Sequence, residues 1–413
     1  MSSRRVVITG IGVVSPIGND LASFWNGILE GRNGVGPITQ FDASEFRTKF
    51  AMEVKDFDPE SRVDRKTLRL LDRFAQFALV AAAEAMEYSG LDPSADPTRY
   101  GVITGSGIGG LAEIEVQHNN FRDRGPSRIS PYFVPKMMMN AASGQIAIQH
   151  GFKGFNFATV SACASSQHAL GVAHDSIVSG HCDAVLAGGS EAAITPLGVG
   201  GFCSLKAMSS RNDEITTAMR PFQASRDGFV MGEGGAIFVF EELEHARKRD
   251  ARIYCEVLGF GFTDDAYHIT APDPQAPMAV AAMRAAIENA GRNLDEVDYI
   301  NAHGTSTPLN DVMEMQAIRE LFGAHSEKLM VSSTKSQIGH LLGASGAVEL
   351  AAIAVGIREG VVPATINQVD PDPECDLDSV PDEPREAPIR VALSNSFGFG
   401  GHDACLCLGR FED

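Results

Sequence analysis

The run Phe155-Asn-Phe-Ala-Thr-Val-Ser-Ala-Cys163-Ala-Ser-Ser-Gln167 decides the fold. Its first part is short, apolar and rich in aromatic and β-branched residues, which reads as a strand. Its second part is a turn of small residues opening a helix over 165–179. A strand feeding directly into a helix is the unit of an α/β protein, and the same alternation runs outward in both directions. Apolar runs at 5–9, 100–104, 155–160, 184–187, 236–240, 254–259, 299–301, 330–332 and 390–393 read as strands. Helical stretches fall at 72–89, 277–290, 311–321 and 346–358, and Pro277 suits a first helical turn, where its missing N–H costs nothing.

The two halves of the chain echo each other. Gly232-Glu-Gly-Gly-Ala-Ile-Phe-Val-Phe240 and Gly400-Gly-His-Asp-Ala-Cys-Leu-Cys-Leu408 are both glycine turns that feed an apolar strand. Arg4-Arg-Val-Val-Ile-Thr-Gly10 and Arg252-Ile-Tyr-Cys-Glu-Val-Leu-Gly259 open the respective halves. The expected organisation is a diverged internal duplication: residues 1–250 carry the cysteine, and residues 251–413 carry the two glycine-flanked histidines and a glycine loop. A chain of 413 residues exceeds the usual limit of one core, which agrees with a doubled one. The Pro- and acid-rich segment 370–386 reads as an exposed excursion before the last hairpin.

Composition excludes several function classes. A formal charge of −19 argues against nucleic acid as a bulk partner. Seven cysteines, odd in number and without C-x-x-C pairs, indicate a reduced, cytosolic protein with no zinc framework. No apolar run approaches the roughly 18 residues of a membrane span, and Gly10, Gly12 and Pro16 break the apolar opening, which reads as a strand rather than a signal peptide. A cytoplasmic protein without membrane association is expected.

Three positions carry chemistry. A buried cysteine is by default a small hydrophobe, but Cys163 sits where small neighbours let a substrate approach and where helix dipoles would favour thiolate over thiol, lowering its pKa. Its N–H faces outward, ready for an oxyanion. His303, in Asn301-Ala-His-Gly-Thr305, follows a strand end, where open α/β sheets build their sites. His340, in Lys335-Ser-Gln-Ile-Gly-His340, lies in a glycine-rich turn before a helix. Neither has ligand spacing to another His or Cys, so no metal is expected. Cys with one His would suit a thiol hydrolase, for which the second His and Lys335 are surplus. Asn395-Ser-Phe-Gly-Phe399-Gly-Gly401 reads as a hinged gate presenting a backbone N–H. Gly105-Ser-Gly-Ile-Gly-Gly110 fits the dinucleotide fingerprint, but no acidic residue ends a second strand about 20 residues on, and prolines interrupt the unit.

These residues, with Thr195-Pro-Leu-Gly-Val-Gly-Gly-Phe202, Arg226-Asp-Gly-Phe-Val-Met-Gly-Glu-Gly234 and Asp265-Ala-Tyr-His-Ile-Thr270, resemble the β-ketoacyl-[acyl-carrier-protein] synthases of the type II elongating class over essentially the full length. The resemblance implies a thiolase-like fold, two similar α/β halves in five α-β-α-β-α layers, and a homodimer. It implies a decarboxylative Claisen condensation, without cofactor, on substrates carried by the phosphopantetheine arm of acyl carrier protein. Cys163 would hold the acyl chain, and His303 and His340 would stabilise the enolate of the malonyl thioester. Lys335 would support them through Glu314 or Asp311. The N–H groups of Cys163 and Phe399 would form the oxyanion hole, with Phe399 as the gate. Thr270, Thr305 and Thr307 would bind pantetheine. Ile108, Phe202, Phe399 and Phe133 of the opposite subunit would line the acyl tunnel.

The resemblance places carrier docking at Arg65, Lys66, Arg69, Arg128 and Lys206, with Arg62, Arg73 and Arg124 beside them. His402-Asp403 after the gate loop, and Gln167-His168 after the nucleophile, depart from the usual family pattern. A ketosynthase of a polyketide or specialised lipid pathway would share every catalytic residue. A non-catalytic, tunnel-shaping subunit would lack the nucleophile, and a thiolase would carry a second cysteine as base.

Overall fold

A computed structural model describes residues 4–412. Ten strands form the main sheet: β1 (Val6–Val14), β2 (Tyr100–Gly105), β3 (Asn156–Thr159), β4 (Ala184–Glu191), β5 (Gly234–Glu242), β6 (Glu256–Asp264), β7 (Val297–Asn301), β8 (Met330–Ser332), β9 (Val391–Gly398) and β10 (His402–Gly409). Their order is β8-β7-β9-β10-β6-β1-β5-β4-β2-β3. Outward from the middle, the first five strands run 1-5-4-2-3 and the last five 6-10-9-7-8, the same order with every index raised by five. The hand of each pairing repeats as well. β2 is parallel to β3 and β4, as β7 is to β8 and β9. β5 is antiparallel to β1 and β4, as β10 is to β6 and β9.

Helices complete the layers. α1 (Arg73–Ser89), α2 (Leu111–Arg124), α3 (Ala141–His150), α4 (Ser165–Val178), α5 (Pro277–Asn289), α6 (Pro308–Phe322) and α7 (Ser345–Glu359) are the longer ones that matter for the site. α1 and α3 cover the outer face of the first five strands, and α5 and α6 that of the last five. α4 and α7 pack against each other and touch strands of both sets, so they form the middle layer. Position explains their composition: α7 is buried from Ser345 to Ile357, and its small residues let strands of both sets close on it. Among the described residues no helix is long and apolar enough to cross a membrane.

Glycines made the sequence reading end two strands too early. The run at 5–9 continues to Val14, and that at 254–259 starts at Glu256 and continues to Asp264. Gly10 and Gly12 are not strand breakers here but contact points for α1: a Cβ on them would lie 2.1 Å from the Ala85 carbonyl and 1.9 Å from that of Ala81. Gly259 and Gly261 do the same for α5, where a Cβ would lie 2.6 Å from the Ala290 nitrogen and 2.1 Å from the Ala282 carbonyl. Glycine in a strand marks close approach of another backbone as readily as a bend. α2, α3 and the helix Pro196–Ser204 are further elements beyond the sequence reading. The segment 370–386 is also more than an exposed excursion. Cys375, Leu377 and Val380 are buried, and Asp372 pairs with the buried Arg226 at 2.5 Å.

Candidate active site

Cys163 lies in a single 3-10 turn, Ala162–Ala164, between β3 and α4, so the helix proper starts two residues later than the thiol. Ala162 adopts φ +49°, a left-handed conformation that costs a non-glycine residue about 1–3 kcal/mol. Ser165 holds it there: its Oγ accepts from the Ser161 N–H at 2.9 Å and donates to the Ala162 carbonyl at 2.7 Å. The result is a sharp elbow that presents Sγ at the end of the strand. The second half contains the same elbow, with Leu342 at φ +50° in the 3-10 turn Leu342–Ala344 before α7.

His303 and His340 arrive from the second half. His303 follows β7, and its loop is pinned by Glu314 of α6, which accepts the backbone N–H groups of His303 and Gly304 at 2.8 Å each and the Asn395 amide at 3.1 Å. His340 donates its backbone N–H to Val230, and its Nδ1 lies 2.9 Å from Ser345 Oγ. That bond aims Nε2 at the thiol, 3.1 Å from Cys163 Sγ. The two imidazoles stand nearly perpendicular, ring centroids 5.4 Å apart, and both are buried.

Burial sets the protonation states. It drives His303 and His340 well below the usual imidazole range, with the Lys335 charge acting in the same direction, so both rings are neutral at pH 7. Burial also pushes the Cys163 thiol up to about 12, against the smaller pulls of Lys335 and of the Phe399 N–H that bonds to the sulfur. The expectation of a helix-lowered thiol pKa is thus reversed. The thiol is enclosed, and desolvation of a full charge outweighs the helix-end effect of at most ~2 kcal/mol.

The expected partner of Lys335 is also corrected. Its Nζ lies 2.5 Å from Glu349 Oε1 of α7, both side chains fully buried, while Glu314 holds the His303 loop. Asp311 instead accepts from the Phe222 and Ser306 N–H groups. Glu349 is the lone charge in the apolar run 346–357, and that isolation is the sequence signal that a buried partner awaits it.

A cavity of about 380 Å³ opens from Cys163 to the surface. Cys163, His303, His340, Phe399, Phe202, Thr270, Thr305, Thr307 and Lys206 all line it. The Thr305 and Thr307 hydroxyls are 2.9 Å apart, and the Phe399 and Phe202 rings are 6.3 Å apart. Ile108 does not line this cavity; it packs behind it with Phe202, Phe229 and Leu342. Phe133 lies on the short surface helix Phe133–Met137, away from the cavity of its own chain. Asp403 faces the same cavity beside Asp265. Burial and the Asp265 and Asp264 charges hold the Asp403 carboxyl up to about 8.

Of the basic positions, Arg65, Lys66, Arg69, Arg124 and Arg128 are exposed, and Lys206 is exposed at the cavity mouth. Arg73 leaves that group. It bonds the fully buried Glu233 at 2.7 Å and stacks between Phe57 and Phe77. The glycine loop 105–110 also receives a definite role. The N–H groups of Gly107, Ile108 and Gly109 and the Ser106 hydroxyl all donate to Glu191, as does the Gly343 N–H at 3.1 Å. The nest that could cradle a phosphate is filled by the protein's own carboxylate. It ties the elbow of the second half to the loop of the first.

A doubled α/β fold with a cysteine elbow in one half and two neutral histidines from the other defines a thiolase-like condensing enzyme. Comparison with known proteins narrows the class: the chain belongs to the β-ketoacyl synthase family. Residues 3–246 match the beta-ketoacyl synthase N-terminal domain, and residues 254–369 match the C-terminal domain. It is 50% identical over 414 residues to 3-oxoacyl-[acyl-carrier-protein] synthase 2 of Coxiella burnetii, covering 100% of both chains. Among solved structures, the ishigamide ketosynthase/chain length factor is 35% identical with a TM-score of 0.93, covering 100% of both chains. A ketosynthase bound to its type II polyketide acyl-carrier protein is 33% identical with a TM-score of 0.90, again over 100% of both.

Proposed function

We propose that this chain is an elongating β-ketoacyl-[acyl-carrier-protein] synthase, and that Cys163, His303 and His340 perform its decarboxylative Claisen condensation. The observation that carries the reading is the convergence of the thiol and two neutral imidazoles at the end of a long, mostly apolar cavity. The 50% identity to a 3-oxoacyl-[acyl-carrier-protein] synthase 2, against 33% for a type II polyketide ketosynthase, favours fatty-acyl elongation.

The chemistry follows from the protonation states. Because the thiol is neutral, its proton passes to the departing pantetheine sulfur as Sγ attacks the incoming acyl thioester, and His340 keeps its own proton on Nε2. The Cys163 and Phe399 N–H groups receive the tetrahedral oxyanion. The malonyl thioester then enters with its carbonyl oxygen toward the N–H groups of His303 and His340. Loss of CO₂ leaves an enolate that neutral donors stabilise without an unpaired buried charge. Its carbon attacks the acyl thioester, and the Cys163 sulfur leaves as the thiolate and takes a proton from water, one proton being consumed for each CO₂ released. The product is a 3-oxoacyl chain two carbons longer, and no cofactor takes part. Lys335, neutralised by Glu349, positions the histidines rather than touching substrate.

In this reading the pantetheine arm runs along Thr270, Thr305 and Thr307, and Phe399 gates the acyl pocket formed with Phe202 and Ile108. A homodimer completes it: Phe121, Ile129, Tyr132, Val134, Met138, Phe155 and Phe157 are exposed apolar side chains of the segment from α2 to β3, which also carries Phe133. The carrier protein docks on Arg65, Lys66, Arg69, Arg128 and Lys206, local cations that offset the overall charge of −19. The chain divides near residue 250 into the half with the nucleophile and the half with the histidines and gate. Seven free cysteines suit the reducing cytoplasm. The test supplies saturated acyl carrier thioesters of graded length with malonyl carrier. Release of CO₂ with a 3-oxoacyl product two carbons longer is expected; release of free fatty acid alone would mark a thiol hydrolase and overturn the reading.

A further inference from the structure

Each of Cys163, His303 and His340 offers one donor atom, and the three atoms lie within 4.8 Å of one another. A tetrahedral zinc ion, with bonds of about 2.3 Å to sulfur and about 2.0–2.1 Å to nitrogen, holds its donors roughly 3.3–3.6 Å apart. The pair His340 Nε2 and Cys163 Sγ, at 3.1 Å, would open by about half an ångström to reach that span. The His303 donor, within 4.8 Å of the other two, needs a shift of at most about 1.5 Å to join it.

The surroundings suit an ion as well as a thioester. Ser345 Oγ lies against His340 Nδ1 and fixes the ring with Nε2 toward the sulfur; when the hydroxyl accepts from Nδ1–H, Nε2 is free to ligate, the outer-shell contact that orients ligating histidines. His303 Nδ1 is buried without a hydrogen-bond partner among the described residues, so nothing but the ring's packing against Phe397 and His340 restrains the small movement required. The charge of Lys335, which would repel a cation, is partly offset by Glu349 at 2.5 Å, and the Glu314 carboxyl stands behind the His303 loop. The fourth coordination position opens on the cavity, where a water molecule can complete the tetrahedron.

We propose that the unacylated enzyme binds one Zn²⁺ at Cys163, His303 and His340, and that the bound ion holds the enzyme inactive. Binding replaces the thiol proton, which goes to solvent, so the ion sits as a zinc thiolate with two neutral imidazoles and one water. Acylation of Cys163 converts the sulfur to a thioester and abolishes the site, so acyl thioester and zinc compete for the same atom. The ion site rests on the positions of the three donor atoms, and its effect on activity rests on the condensation reading above.

The test uses the full-length protein freed of metal and the metal alone as probe. Equilibrium dialysis is expected to give one Zn²⁺ per chain, lost in Cys163→Ala and about 10–100-fold weaker in Ser345→Ala. Co²⁺ in place of Zn²⁺ is expected to show a thiolate-to-cobalt charge-transfer band that disappears when Cys163 is acylated. In the unmutated protein, Zn²⁺ is expected to slow alkylation of Cys163. Absence of tight zinc binding, equal stoichiometry in Cys163→Ala, or an unchanged alkylation rate would each overturn the proposal. None of these results would touch the condensation reading, which the product assay tests separately.

Discussion

At residues 161–165 and 341–345 the chain makes the same elbow with opposite contents. Ala162 and Leu342 share φ near +50°, a 3-10 turn follows each, and helices begin at Ser165 and Ser345. In the first elbow the central residue is Cys163; in the second it is Gly343, whose N–H is spent on Glu191. Four residues into each helix the contrast inverts. Ala169 is inert and fully buried, while Glu349 is the buried counter-ion of Lys335. In the paired glycine turns, Gly235 stands where the second half has Asp403. One duplicated frame thus serves two tasks. The first half keeps one reactive atom in an apolar setting, and the second keeps the polar network that positions and neutralises groups around it.

Glu349→Gln leaves Lys335 buried without a counter-ion and is expected to cost about 3–5 kcal/mol, read as a fall in the denaturant midpoint, whereas Ala169→Ser on the matching helix position should cost less. Equal losses would mean the two helices do not differ in electrostatic role.

Gly343→Ala comes next. Its Cβ would lie 2.2 Å from the Gly107 nitrogen and 2.7 Å from Glu191, so a loss on the order of 1–3 kcal/mol is expected. Cys163→Ala, at the matching point of the other elbow, should remove activity with little change in stability. A stable, active Gly343→Ala protein would contradict the assigned contact.

Asp403 sharpens the contrast through pH. Unfolded, its carboxyl titrates near 3.8; folded, it holds its proton to about 8. Between those values the native state binds the proton and the unfolded state does not, so stability falls as pH rises through the window. Asp403→Asn keeps the shape and removes the titration. Its gain in thermal stability is expected on the order of 2 kcal/mol at about pH 8 and should vanish toward about pH 4. A gain independent of pH would assign the effect to packing.

The smallest effect concerns the surface. Arg65→Glu with Lys66→Glu should raise KM for carrier-bound substrate and leave KM for a minimal pantetheine thioester unchanged. Each exposed charge is worth about 1 kcal/mol or less, so a several-fold change is the expected scale. Equal effects on both substrates would remove the carrier from this face.

Much of this was legible in the sequence. Cys163, His303, His340 and the gate loop stand out because each is a reactive or aromatic residue set among glycines and small residues, and the structure brings all of them to one cavity. What stayed hidden depended on contacts between distant segments. Nothing in Lys335-Ser-Gln-Ile says which carboxylate of α6 or α7 will face the lysine. Helix-end reasoning sees the dipole at Cys163 but not the second half closing over the thiol, which reverses the pKa shift. Gly10, Gly12, Gly259 and Gly261 looked like strand ends because close helix approach leaves the same residue as a bend. Read together, those two pairs were a stronger sign of the duplication than the motifs that suggested it.

The central claim is that the solitary reactive atom of the first half, Cys163 Sγ, carries the growing chain. Intact-protein mass spectrometry after incubation with an acyl carrier thioester, in the absence of malonyl carrier, tests it most directly. The account predicts a gain of one acyl group per chain, mapped by peptide analysis to Cys163 and absent in Cys163→Ala. An acyl group retained in Cys163→Ala, or mapped to another residue, would contradict it.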